Sequence, residues 1–142
     1  MSSFMTCALG HDHYGPLGAA GLLLVCDGQV LLQERSGRVH QGGTWSTPGG
    51  ALEPGEDALA AAAREAHEEL GLEACSYDVT RLYVAECGGW TYTTVVATIP
   101  ERPTLVQQWE TARMAWLDPD DVVRLPLHPA FRDAWEDLHR NL

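Results

Sequence analysis

The chain opens on two apolar runs, 18 to 25 and 29 to 35, joined through Asp27-Gly28. Both turn positions tolerate positive φ, so the pattern predicts a tight hairpin. The longest apolar stretch, Ala19–Cys26, predicts a buried strand. From 36 to 55 the chain is rich in Gly, Ser, Thr and Pro, broken by Trp45 and the Ala51-Leu52 pair, and is expected to be a long functional loop. Between 57 and 70, Leu59, Ala62, Ala63, Ala66 and Leu70 recur at helical spacing, with Gly71 placed for a left-handed cap. The stripe Leu59, Ala63, Ala66, Leu70 is expected to face the core. Residues 77 to 86 and 91 to 99 carry Tyr, Val, Thr and Leu around Gly88-Gly89 and predict a second strand pair. Residues 100 to 108 are expected to be loop and 113 to 117 a short strand. Asp118-Pro119 suits the start of a brief helix. After Pro129, Phe131, Ala134, Trp135 and Leu138 fall at i, i+3, i+4 and i+7, the spacing of a helix packed along one face. Strands, helix, strands, helix imply an α+β fold or a layered α/β sandwich.

A length of 142 residues fits one domain, 1–142, with residues 1–17 as an N-terminal segment, and a core that buries roughly two-thirds of the unfolded surface. No segment approaches the roughly 20 apolar residues that cross a membrane. The N-terminus has neither the basic flank nor the apolar centre of a secretory signal, so a cytoplasmic location is expected. The four cysteines, at 7, 26, 75 and 87, form no tight pair in sequence, and a reducing compartment keeps them as thiols. A net charge of −11 argues against a nucleic-acid polymer as partner, because that binding needs a basic face. A small polyanion would be repelled as well, unless metal ions neutralise some of the acid.

The spacing of the acids says where. At about 100° per residue, Glu65, Glu68 and Glu69 gather on one side of the predicted helix, away from the apolar stripe. Like charges at i, i+3 and i+4 cost a few tenths of a kcal/mol per pair; Arg64 relieves this by pairing with Glu68 at i+4. By itself this is equally a solvated charged face. The preceding Trp45-Ser46-Thr47-Pro48-Gly49-Gly50 loop changes the picture, since its glycines let backbone groups approach a ligand closely. Carboxylates and carbonyls together suit Mg²⁺, a hard ion that also binds diphosphates.

The span 50–72 resembles the signature of the Nudix hydrolases: Gly50, five residues, Glu56, seven residues, then Arg64-Glu65-Ala66-His67-Glu68-Glu69-Leu70-Gly71-Leu72. Ala66 departs from the bulkier aliphatic usual there, yet stays apolar. The resemblance implies a mixed β-sheet sandwiched between helices, the signature forming a loop-helix-loop. It also implies that Glu65, Glu68 and Glu69 bind Mg²⁺, or Mn²⁺ as a substitute, with the Gly49 carbonyl completing the shell. Arg64 would serve the catalytic acids while bracing the loop through Glu56, and Gly50, Glu56 and Gly71 would be structural. Glu65 would help to activate water for attack on a diphosphate phosphorus. A further acid often arrives from a later loop in this family; Glu110 stands in the right place, with Glu86 a weaker competitor.

Substrate contacts are sought among the few cations of an acidic chain. Arg35 stands where MutT-type members that act on nucleoside triphosphates carry an arginine; Arg38 and His40 follow. Such groups can hold phosphate or base, and Trp90, with Trp45 or Tyr92, could stack on a base, although aromatics beside a sheet are commonly core. The Pro or Tyr markers of the ADP-ribose and dinucleoside-polyphosphate branches are replaced here by Gly88-Gly89-Trp90. That favours a MutT-like nucleoside triphosphate, oxidised ones included, cut to monophosphate and pyrophosphate. The alternatives are an ADP-ribose or nucleotide-sugar pyrophosphatase, or a non-catalytic Nudix-fold nucleotide sensor or protein-binding module. A separate zinc site at Cys7, His11 and His13 would need a fourth ligand such as Cys75 or Cys87. Oligomeric state is not legible.

Overall fold

In the computed structural model, the described residues are 4–10, 12–37, 42–109 and 111–142, with the backbone alone for residues 4–5 and 12–14. A two-stranded hairpin, β1 (Phe4–Thr6) and β2 (Asp12–Tyr14), precedes the main sheet. That sheet holds β3 (Ala19–Cys26), β4 (Gln29–Arg35), β5 (Trp45–Ser46), β6 (Gly49–Ala51), β7 (Asp78–Cys87), β8 (Trp90–Thr98) and β9 (Thr111–Leu117). Its path runs β5-β4-β3-β8-β7, with β6 added on β3 and β9 on β4. The β3–β8 pairing is parallel and every other is antiparallel, so the sheet is mixed.

Helix α1 (Ala58–Leu70) covers one face and α2 (Pro129–Arg140) the other. This explains the unbroken apolar run of β3, a strand buried on both sides. Leu22 and Leu24 face α1 with Val95 and Ala97, while Leu23 faces α2 with Val30, Leu32, Phe131, Trp135 and Leu138. The fold is α+β with helices on both faces of a mixed sheet, as the signature implied.

The Asp27-Gly28 hairpin forms, with φ of 50° and 76°. It does not stay closed, however. β3 pairs with β4 only near the turn, at Val25↔Val30 and Cys26↔Gln29, and then with β6, while β4 pairs with β5. The supposed long loop is therefore partly strand: its 45–51 stretch occupies the splay between β3 and β4 and places its glycines beneath α1. Asp57 caps α1 by accepting from the Ala60 N–H at 2.8 Å, and Gly71 ends it at φ 71°. The short helix after Asp118 is a 3₁₀ turn, Pro119–Arg124.

The apolar stripe of α1 requires correction. Leu59 is exposed and Ala63 only half-buried, whereas Ala61, Ala62, Ala66 and Leu70 are buried. The buried arc is centred near 62 and 69, because the helix lies flat on a sheet already filled by Leu22, Leu24 and Val95 and presents small alanines to it. Glu65 and Glu69 consequently lie on the packed face of α1 rather than away from it.

Candidate functional site

The splayed strands, the glycine segment and the inward face of α1 meet at one place. Gly50 of β6 lies directly under Glu65: a Cβ there would stand 2.6 Å from Oε1 and 2.7 Å from Cδ of that carboxylate. Gly49 beside it faces backbone, and its Cβ would fall 2.6 Å from Gly21 Cα and closer still to the Ala20 carbonyl oxygen. A side chain on Gly21 would run into the Thr47 and Tyr92 hydroxyls, which lie 3.3 Å apart. Bare backbone at these three positions is what lets two strands and the acidic helix close together.

Arg64 joins the loop to the helix. Its Nε donates to Glu56 Oε2 at 2.8 Å and its Nη2 to Glu56 Oε1 at 2.9 Å, a two-point hold. Nη2 also donates to the Ala51 carbonyl at 3.1 Å, and Nη1 to Glu65 Oε1 at 2.9 Å and Glu68 Oε2 at 3.4 Å. The guanidinium holds the Glu56 carboxyl below the usual range, assisted by the Glu53 backbone and opposed by burial. In return Arg64 is raised further above its ordinary value.

Glu69 is half-buried against the sheet. Gln33, itself 3% exposed, donates from Nε2 to Glu69 Oε1 at 2.8 Å and accepts from Thr111 Oγ1 at 3.1 Å. The second oxygen of Glu69 is buried and has no hydrogen-bond partner among the described residues. Burial is the main force that raises the Glu69 pKa from 4.5 to about 8. The adjoining Glu65 carboxyl adds to the rise, while the Gln33 N–H and the Arg35 charge oppose it. Two neighbouring carboxyls of this kind hold a proton or take a cation.

The three glutamates do not share one patch. Glu65 and Glu69 face the sheet, while the Glu68 side chain is 56% exposed and turned to Arg64. Accordingly, no three His, Cys, Asp or Glu side chains among the described residues converge closely enough, as they stand, to hold an ion. The donors nonetheless fit a hard divalent cation: they are oxygens, one is buried with no partner among the described residues, and the two carboxyls repel each other when both ionise in a partly dry setting.

Arg35 ends β4 near enough to bear on both Glu69 and the Tyr92 phenol. Arg38, His40 and Glu110 lie outside the described residues, as does His11, and of His13 the backbone alone is described. Trp90 is 7% exposed, with its indole N–H donating to the Gly15 carbonyl at 2.7 Å in a cluster with Cys7 and Ala19. The ring is core here and offers no open face to a base. Trp45 is likewise buried. Glu86, on β7 beside the β7–β8 turn, is exposed. Gln33 escaped the sequence reading, although it carried a signal: it is a polar residue in an apolar strand, two positions after Leu31 and two before Arg35 on the α1-facing side.

The comparisons with known proteins agree with this geometry. The model of the NUDIX domain matches residues 16–138. The chain belongs to the Nudix family. It is 44% identical over 140 residues to the Mycobacterium tuberculosis protein named "Putative 8-oxo-dGTP diphosphatase 3", a match that takes in 91% of this chain and 64% of that protein. The chain thus spans somewhat under two-thirds of that relative. It is 32% identical over 104 residues to the CTP pyrophosphohydrolase of Escherichia coli, covering 73% of this chain and 77% of that one. Among solved structures, a Nudix hydrolase of M. smegmatis, RenU, superposes with a TM-score of 0.86 at 41% identity, over 97% of this chain and 92% of the other. No helix among the described residues is long and apolar enough to cross a membrane.

Proposed function

We propose that this Nudix protein is a divalent-metal-dependent pyrophosphohydrolase that cuts a nucleoside triphosphate, one with an oxidised base included, to monophosphate and pyrophosphate. The observation that carries the chemistry is the half-buried pair Glu65–Glu69, whose buried Glu69 Oε2 has no hydrogen-bond partner among the described residues, set on the glycine segment and braced by Arg64. The likeness to the M. tuberculosis and E. coli proteins supports the triphosphate.

In this reading Glu65, Glu69 and the Gly49 carbonyl would hold Mg²⁺, or Mn²⁺ in its place, and Glu68 would join them. The bound ion would supply charge neutralisation at the phosphate oxygens and a more acidic water. Glu65 accepts the proton of the attacking water while Arg64 keeps its carboxylate aimed at the Gly50 backbone. Gln33 fixes the orientation of Glu69. Arg35, the cation nearest this pair in β4, takes a phosphate oxygen of the substrate.

The test is nucleotide and pyrophosphate analysis after incubation with Mg²⁺ and a panel of ordinary and oxidised purine and pyrimidine triphosphates, ADP-ribose and nucleotide sugars. Monophosphate and pyrophosphate should form from triphosphates, vanish with chelator and fall steeply in Glu69→Gln. Turnover confined to ADP-ribose or sugars refutes the substrate. A fully active Glu69→Gln refutes the catalytic site, and no turnover of any compound leaves a binding module.

A further inference from the structure

Away from the acidic site, two of the four cysteines meet. Cys7 follows β1 and Cys87 ends β7, 80 positions apart, yet their Sγ atoms stand 3.6 Å from one another. Cys7 is buried and Cys87 half-buried, so the pair opens toward solvent on the Cys87 side. Two independent features hold the chains there. The Ala8 N–H donates to the Gly88 carbonyl at 2.9 Å, tying together the residues that follow each cysteine. Gly88, at φ +56°, lies so close that a Cβ would fall 2.8 Å from Cys7 Sγ and from the Ala8 nitrogen and 2.7 Å from the Leu9 nitrogen. Any other residue at the turn would push the N-terminal segment off it. A disulfide needs its sulfurs about 2.05 Å apart, and these two already stand in van der Waals contact.

We infer that Cys7 and Cys87 are an oxidative modification site, forming an intramolecular disulfide that locks the β1–β2 hairpin to the β7–β8 turn. The oxidant is a peroxide. The half-buried Cys87 sulfur attacks one peroxide oxygen, the O–O bond breaks, and a sulfenic acid and one water result. Cys7 Sγ then displaces the second water from that sulfur. Two S–H bonds and one O–O bond are lost, one S–S bond forms, and hydrogen peroxide leaves as two waters. Burial and the neighbouring Cys7 push the Cys87 thiol up, which lowers its thiolate fraction and slows its attack on the peroxide. Cys26 is fully buried and Cys75 exposed on the turn after α1, so neither competes for the same partner. The inference does not depend on the substrate.

The test treats the full chain with excess hydrogen peroxide, counts thiols and digests it with trypsin without reduction. The chain contains arginine but no lysine, so cleavage leaves Cys7 in peptide 1–35 and Cys87 in peptide 82–113, Pro103 protecting Arg102. The expected result is loss of two thiols, a 1–35/82–113 cross-link in monomeric protein, and its absence in Cys7→Ser and Cys87→Ser. Fragmentation of the parent cross-link distinguishes Cys7 from Cys26 even if a variant fails to fold. Closing so long a loop should raise the melting temperature by on the order of 10 °C. Four thiols surviving excess oxidant overturn the inference. So do a bond through Cys26 or Cys75, a cross-link only between molecules, or a cross-link that leaves the melting temperature unchanged.

Discussion

Gly49 and Gly50 are adjacent and both crowded, but the atoms that crowd them differ, and replacing each with alanine should break a different property. At Gly50 the added Cβ meets Glu65 Oε1 at 2.6 Å, Cδ at 2.7 Å and Oε2 at 3.0 Å. These are the far end of a flexible side chain, which can swing aside by roughly 1 Å to reach ordinary contact. The fold should therefore tolerate Gly50→Ala, and the smaller entropy of the unfolded chain offsets part of any cost. The carboxylate, however, leaves its place and its 2.9 Å hydrogen bond from Arg64. A misplacement near 1 Å at a reacting group costs on the order of 10²-fold in kcat, or about 2.7 kcal/mol in the barrier. At Gly49 the obstacles are Gly21 Cα and the Ala20 carbonyl, both backbone. Strand β6 must then part from β3, and overpacking of this kind costs about 1–3 kcal/mol, seen as a melting temperature lower by on the order of 5 °C. Paired melts and steady-state kinetics with saturating Mg²⁺ distinguish the two. If Gly50→Ala keeps the parent kcat, or melts as early as Gly49→Ala, the placement of Glu65 over Gly50 is not what the chemistry uses.

Glu69 gives a pH dependence of definite sign. Its folded pKa of about 8 lies above the 4.5 of the free group, so the protonated form is favoured by folding. The associated stability is complete below about 4.5 and is lost as pH rises through about 8; it amounts to about 2–5 kcal/mol. Melts in chelator should therefore fall between pH 5 and 8.5, and Glu69→Gln, a permanent neutral mimic, should flatten the slope and melt higher than the parent at pH 8. Equal slopes would show that Glu69 titrates normally. Gln33→Leu removes the N–H that holds this pKa down, so the rising limb of the activity profile should shift to higher pH and Mg²⁺ binding measured by calorimetry should weaken. Arg64→Lys keeps the charge but cannot make the two-point hold on Glu56. Activity should drop at least ~10-fold with a melting loss of about 1–2 kcal/mol, and a fully active lysine variant would remove Arg64 from the positioning role.

The elements that sequence made legible are those whose information is local. Asp27-Gly28 specified its turn through backbone φ, Asp57 and Gly71 marked the ends of α1, and the Phe131, Ala134, Trp135, Leu138 spacing matched the face that α2 buries. The glycine segment was misjudged because its strands exist only by insertion between β3 and β4, and a tertiary gap leaves no mark in the composition of the segment that fills it. The face of α1 was misjudged for a related reason. Hydrophobicity alone pointed the helix by Leu59, but a sheet already supplying large side chains wants small ones opposite, and alanine is nearly silent on such a scale. Trp90 stood between two readings, a ring stacked on a base and the commoner core ring, and sequence could not choose because the acceptor of its indole N–H, Gly15, lies 75 positions away.

The corrected orientation of α1 makes the site physically more demanding. A carboxylate on a solvated face is neutralised by water and says little. Glu69 instead occupies a position where an apolar residue would pack; among the described residues Gln33 donates to one of its oxygens and nothing donates to the other. Folding tolerates that only at some cost, and the cost falls away if a proton or a cation arrives. The two occupants can be separated experimentally: a proton taken up with a pKa near 8 must be released when a divalent ion binds. Titrating Mg²⁺ into the chelator-treated protein in weakly buffered solution at pH 7 should release close to one proton per ion in the parent and far less in Glu69→Gln. Mg²⁺ binding without proton release by the parent would mean that the ion and the buried carboxyl do not meet.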